Sequence, residues 1–90
     1  MDRVVTVVPE DGLHARPAAE FVETAGEYDA DVQVGPVDGD PVDAASMLAV
    51  TSLGVASGDD VELVAEGEDA EAALDALEEV LSTPEAESAT

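Results

Sequence analysis

Apolar residues recur along this chain with two spacings, one of two residues and one of three to four, and the switch between them outlines its elements. Arg3 to Val8 is β-branched and compact, which reads as a strand, and Pro9-Glu10-Asp11-Gly12 closes it in a loop. Ala18, Phe21, Val22 and Ala25 then fall at i, i+3, i+4 and i+7. They form one apolar helical face for core packing, which stops at Gly26 and leaves Glu20 and Glu23 on other faces. Val32 and Val34 alternate with polar neighbours, Asp38-Gly39 supplies a turn, and Pro41 to Ala44 returns as a short strand whose proline suits a sheet edge. Ser46 to Leu53 reads as a short helix ended by Gly54. Gly58-Asp59-Asp60 turns into a strand with Val61, Leu63 and Ala65 on one side, and Gly67 breaks it. Asp69 caps a last helix whose stripe is Ala70, Ala73, Leu74, Leu77, Val80 and Leu81.

The order strand, helix, strand, strand, helix, strand, helix predicts an α+β fold with helices on one face of an antiparallel sheet. There is no internal repeat and no linker long enough to separate modules, so one domain is expected over residues 1–84, with 85–90 as a loose acidic tail. A chain of 90 residues buries about 60–65% of its unfolded surface, enough for one modest core.

Composition narrows the chemistry. The absence of cysteine removes disulfides, thiolate catalysis and cysteine-based zinc sites, and a single histidine removes a histidine-cluster metal site. No calcium-type loop is present, so neither a metal nor a cofactor is expected. Twenty-three acidic residues against two arginines leave a formal charge of −21, which argues against nucleic-acid and anionic-membrane partners. Such acidity by itself suggests disorder, but 46% hydrophobic residues in clear periods contradict that. Asp2-Arg3 leads into a short strand that is neither a signal peptide nor a membrane span, so a cytoplasmic chain is expected. Strong acidity without lysine predicts adaptation to concentrated salt, as in a salt-loving archaeon, because at about 1 M salt the Debye length is only ~3 Å.

The chain's one histidine lies in Gly12-Leu13-His14-Ala15-Arg16-Pro17-Ala18-Ala19, together with one of its two cations. An imidazole near neutral pH is both an uncharged nucleophile and a proton carrier, so it can accept a phosphoryl group and pass it on. Arg16 can bond the phosphoryl oxygens with charge assistance. Pro17 has a helical φ and no N–H, which predicts a helix beginning there as its first residue. The amides of Ala15 and Arg16 and the positive end of that helix would face the anion, with Pro17 unable to donate.

Those residues, with Ala45-Ser46-Met47-Leu48-Ala49-Val50-Thr51-Ser52-Leu53-Gly54-Val55 and the strand from Val61 to Gly67, resemble HPr, the histidine-containing phosphocarrier family of the phosphoenolpyruvate-dependent sugar phosphotransferase system. The resemblance spans nearly the whole chain. It implies an open-faced β-sandwich, βαββαβα, with four antiparallel strands ordered 1-4-2-3 under three helices. It implies a carrier rather than an enzyme, phosphorylated on Nδ1 of His14 by phospho-Enzyme I and discharged to a sugar-specific enzyme IIA, for fructose or a similar sugar. Alternatives are the same relay serving a dihydroxyacetone kinase or a regulatory branch, a regulatory binding module that relays nothing, and a small acidic interaction domain. A monomer is expected.

By the same resemblance Met47, Leu48 and Thr51 form a docking patch for partners, although the lysines and arginines that commonly surround it in relatives are missing here. Ser46 matches a serine that an ATP-dependent kinase modifies in some relatives. Its hydroxyl also suits an N-cap, and we favour that role because Ala45 replaces a common basic neighbour and Asp43 would repel an added phosphate. The charge balance predicts that the thermal midpoint rises between dilute buffer and molar potassium chloride, as circular dichroism melts would show. Full stability in dilute buffer with no gain from salt would contradict halophilic adaptation.

Overall fold

In the computed structural model, which describes residues 1–10, 12–13 and 15–83, the valine-rich stretches pair into one antiparallel sheet. Strands β1 (Asp2–Thr6), β2 (Asp31–Pro36), β3 (Val42–Asp43) and β4 (Asp60–Glu66) take the order β1-β4-β2-β3. Helices α1 (Ala15–Gly26), α2 (Met47–Ser52) and α3 (Ala70–Ser82) complete the βαββαβα open-faced sandwich. Residues 85–90, the expected tail, lie outside the described residues.

The two-residue period turns Val5, Val32, Val34, Val61, Leu63 and Ala65 to one face of the sheet, where all are buried. Helix α1 covers them with Ala18, Phe21 and Ala25, and α3 with Ala73, Leu74, Leu77 and Leu81, while Val22 and Val80 pack at the margin. Each large side chain buried this way contributes about 1.5–3 kcal/mol relative to exposure. Among the described residues no polar or charged side chain is buried.

The uncovered face is set by register. Asp2 stands opposite Val64, Glu62 opposite Val4 and Gly35, Asp60 opposite Thr6, and Asp43 opposite Gln33. Each carboxylate therefore meets a neutral residue across the ladder. Asp31 opposite Glu66 is the one like-charge pair in the described ladders, and it sits at the end of its strand. Directly opposed like charges destabilise a sheet, so this register limits self-repulsion in a very acidic face.

Arg3 points the other way, toward the helices. Its Nη1 donates to Asp75 Oδ1 at 2.7 Å and to Glu78 Oε1 at 2.9 Å, tying an edge strand to α3. The hydrogen bond to Asp75 is the main cause of a guanidinium pKa raised above its ordinary value.

Several boundaries differ from the sequence reading. Strand β1 ends at Thr6, not Val8, because Val7 and Val8 donate to Asp59 O (2.9 Å) and Leu81 O (2.8 Å) outside the ladder. Strand β3 holds only Val42 and Asp43, since Pro41 has no N–H to give. Asp69 is the N-cap of α3 by position, but its carboxylate accepts the Asp29 N–H (2.8 Å), not an amide of its own helix.

Replacing Arg3 with glutamine (Arg3→Gln) is expected to lower the thermal midpoint clearly in dilute buffer. The loss should shrink in molar potassium chloride, where exposed ion pairs are screened. Melting curves at a series of salt concentrations check this, and a loss independent of salt would assign the contact to packing alone.

Candidate functional site

The approach to α1 is built on backbone contacts. Pro9 is buried, and its carbonyl accepts the Gly12 N–H at 2.9 Å, closing a tight turn. Gly12 has φ +66°, and a Cβ there would overlap the Val55 carbonyl oxygen and stand 2.8 Å from Ala56 Cα. Only glycine meets both demands. Leu13 follows, fully buried, and donates its N–H to the same Val55 oxygen at 3.1 Å. His14, the expected reactive residue, lies outside the described residues.

Helix α1 begins at Ala15, so Pro17 is its third residue rather than its first. The position still suits proline, because the first helical N–H groups have no acceptor within the helix. Pro17 is buried while Arg16 is exposed. The amides of Ala15 and Arg16 fall in this first turn, at the positive end of the helix dipole. Acidic side chains favour such a turn, yet α1 has none in its first turn, although the chain holds twenty-three acids. No side chain of the turn itself offsets the positive end of the helix dipole. Arg16 strengthens it, since the described ion pairs belong to Arg3 and none to Arg16.

Val55 is fixed from its own side. Helix α2 ends at the C-cap Leu53, and Gly54 with φ +66° turns the chain onto Val55. The Ala56 N–H donates to the Asp59 carboxylate at 3.0 Å and the Asp59 N–H to Ala56 O at 3.1 Å. Gly58 N–H donates to Val7 O at 2.7 Å, binding this loop to the end of β1. Neither Val55 nor Asp59 was singled out in the sequence as a site residue. The one signal was a glycine two positions before the histidine, which reads equally well as turn punctuation.

Helix α2 packs on α1 and buries Val50, but Met47 is 42% and Leu48 79% exposed. Thr51 is half-buried, and its hydroxyl proton is shared between the carbonyls of Met47 (2.8 Å) and Leu48 (3.2 Å), one turn back on the helix that presents the two apolar side chains. Ser46 is the N-cap of α2: its Oγ accepts the Ala49 N–H at 3.2 Å. Asp43, beside it, holds the Ala45 N–H at 2.9 Å.

Comparison with known proteins places this arrangement among relatives. The family model described as "PTS HPr component phosphorylation site" matches residues 1–83. The phosphocarrier protein HPr of Haloferax volcanii is 72% identical over 87 residues, which is 96% of this chain and 98% of that one. The phosphocarrier protein HPr of Streptomyces coelicolor is 44% identical over 81 residues, 90% of this chain and 87% of that one. The crystal structure of a phosphocarrier protein HPr from Bacillus anthracis matches with a TM-score of 0.87 at 38% identity, covering 91% of this chain and 96% of that one.

Replacing the cap, Ser46→Ala, is expected to cost about 0.5–2 kcal/mol of stability, while Ser46→Asp should keep most of it because a carboxylate also caps. Denaturant titrations of the variants in molar potassium chloride measure both.

Proposed function

The chain belongs to the HPr family of phosphotransferase-system phosphocarriers, of the haloarchaeal type, and from that premise we propose that His14 carries the phosphoryl group between phospho-Enzyme I and a sugar-specific enzyme IIA. As a phosphocarrier the protein transports a group and has no independent substrate turnover. The observation that carries the residue-level proposal is the exposed Arg16 in an acid-free first turn of α1, immediately beyond position 14.

In the proposed step the lone pair of an unprotonated Nδ1 of His14 attacks phosphorus in line. The P–N bond forms as the donor's bond to phosphorus breaks, and the bonding pair leaves with the donor. Transfer to enzyme IIA reverses these roles. Phosphoryl transfer of this kind asks the protein chiefly for positioning and electrostatic stabilisation. Arg16 supplies the cation, and the amides of Ala15 and Arg16 supply donors aimed along the helix axis. The phosphate brings about −1.5 to −2 charges to a chain already at −21, so this local compensation has to offset general repulsion.

Docking in this proposal uses Met47, Leu48 and Thr51, with the two exposed apolar side chains as its main contacts. Apolar contact suits a partner interface in concentrated salt, where steering between charges is screened within a few ångströms. Ser46 acts as a cap rather than a regulatory phosphorylation site. We place the relay in the cytoplasm and the carrier as a monomer, with fructose or a similar sugar as the client. Among the described residues no helix is long and apolar enough to cross a membrane.

Incubation with Enzyme I and labelled phosphoenolpyruvate in molar potassium chloride should give an acid-labile, alkali-stable label, absent from His14→Ala. Arg16→Ala should lower the phosphorylation rate on the order of 10²-fold. Its stability should change by less than about 0.5 kcal/mol, because the side chain is exposed. Equal transfer by Arg16→Ala and the parent chain would remove the guanidinium from the mechanism. Label that passes to a dihydroxyacetone kinase and not to an enzyme IIA would replace the client.

A further inference from the structure

We propose that the Val55 carbonyl oxygen is a positioning group for the relay: by holding Gly12 and Leu13 against the end of α2, it fixes the chain on the N-terminal side of His14. The proposal rests on His14 being the phosphoryl carrier. Position 14 lies between two anchored neighbours. Ahead of it, the Leu13 side chain is fully buried and its N–H is bonded to Val55 O at 3.1 Å. Behind it, α1 starts at Ala15, and its third and fourth residues, Pro17 and Ala18, are buried. Both segments that flank position 14 are therefore held, one by a buried side chain and a backbone hydrogen bond, the other by the buried start of a helix.

The hold combines two independent contacts. One is the hydrogen bond. The other is steric: Gly12 sits at φ +66° with the Val55 carbonyl in the space a Cβ would need, so the two backbones approach closer than any other residue would allow. The oxygen is itself anchored, because Ala56, the next residue, is tied to Asp59 by hydrogen bonds of 3.0 and 3.1 Å. Gly54 joins it directly to α2, the helix that exposes Met47 and Leu48. One segment therefore carries both the apolar face and the anchor. In-line transfer is sensitive to displacements of about 1 Å, which is the scale on which loss of this contact would act.

The test compares three full-length chains in molar potassium chloride with Enzyme I and phosphoenolpyruvate: the parent, Gly12→Ala, and a semisynthetic chain in which the Leu13 amide nitrogen is replaced by an ester oxygen. The ester removes the donor to Val55 and leaves every side chain in place, so it carries the test even where Gly12→Ala fails to fold. The expected result is a kcat for phosphorylation of the ester chain lowered about tenfold, with KM for the carrier within about twofold of the parent and an unchanged circular dichroism spectrum. Gly12→Ala should lose more. A parent-like kcat in the ester chain would overturn the positioning role, and so would a loss confined to KM, which would make the bond a docking element. A parent chain that takes no label would overturn the relay reading itself, and this proposal with it.

Discussion

The requirement that every charge reach water governs this molecule. Twenty-five charged side chains, twenty-three of them acidic, belong to a 90-residue chain, and no described buried side chain is polar. Burying an unpaired carboxylate would cost far more than a single contact in the core returns. The described interior is accordingly valine, leucine, alanine and one phenylalanine with Pro9 and Pro17, and the described acids occupy the helix exteriors, the turns and the open sheet face. Stability then depends on how far neighbouring acids are kept apart. The ladder does this by setting Asp2, Glu62, Asp60 and Asp43 opposite neutral residues, and concentrated salt screens the remaining repulsion.

Against that background the two arginines stand in opposite settings. Arg3 is committed to Asp75 and Glu78 and fastens an edge strand to the last helix. Arg16 is exposed in the first turn of α1 and has no ion pair among the described residues. A cation held by two carboxylates has little left for a visiting anion, whereas the exposed guanidinium at the start of a helix is the one the proposed relay uses. The acid-free first turn reinforces the contrast. In α3 the first turn does carry an acid, Glu71, whereas α1 and the short α2 both start without one, and only α1 adds a cation there.

The proposed relay site joins segments far apart in sequence. The stretch before α1 contributes Gly12 and Leu13, the segment after α2 contributes Val55, and the turn ending at Asp59 backs it. Family membership accounts for the order of the motifs and for the close match to solved HPr structures. The proposed docking patch keeps the exposed Met47 and Leu48 without the surrounding basic residues that the family resemblance implies. Apolar association keeps its strength as salt rises, while long-range charge attraction does not.

The sequence alone determined the order of elements and most inward-facing positions, because these depend on local spacing, two residues for a strand and three to four for a helix, while the phosphocarrier motif was legible through its resemblance to HPr. It also disclosed the Ser46 cap, a contact made within three residues. Strand ends were less legible. Val7 and Val8 have strand-like side chains but donate to Asp59 and Leu81, partners that no local pattern announces. Tertiary structure alone decided that Arg3 would be paired and Arg16 exposed, that Met47 and Leu48 would both face outward, and which neutral residue would stand across from each carboxylate. It also decided that Gly12 would meet Val55. Each depends on how the sheet register and the helix packing bring distant backbone together, and a one-dimensional pattern carries no measure of that distance.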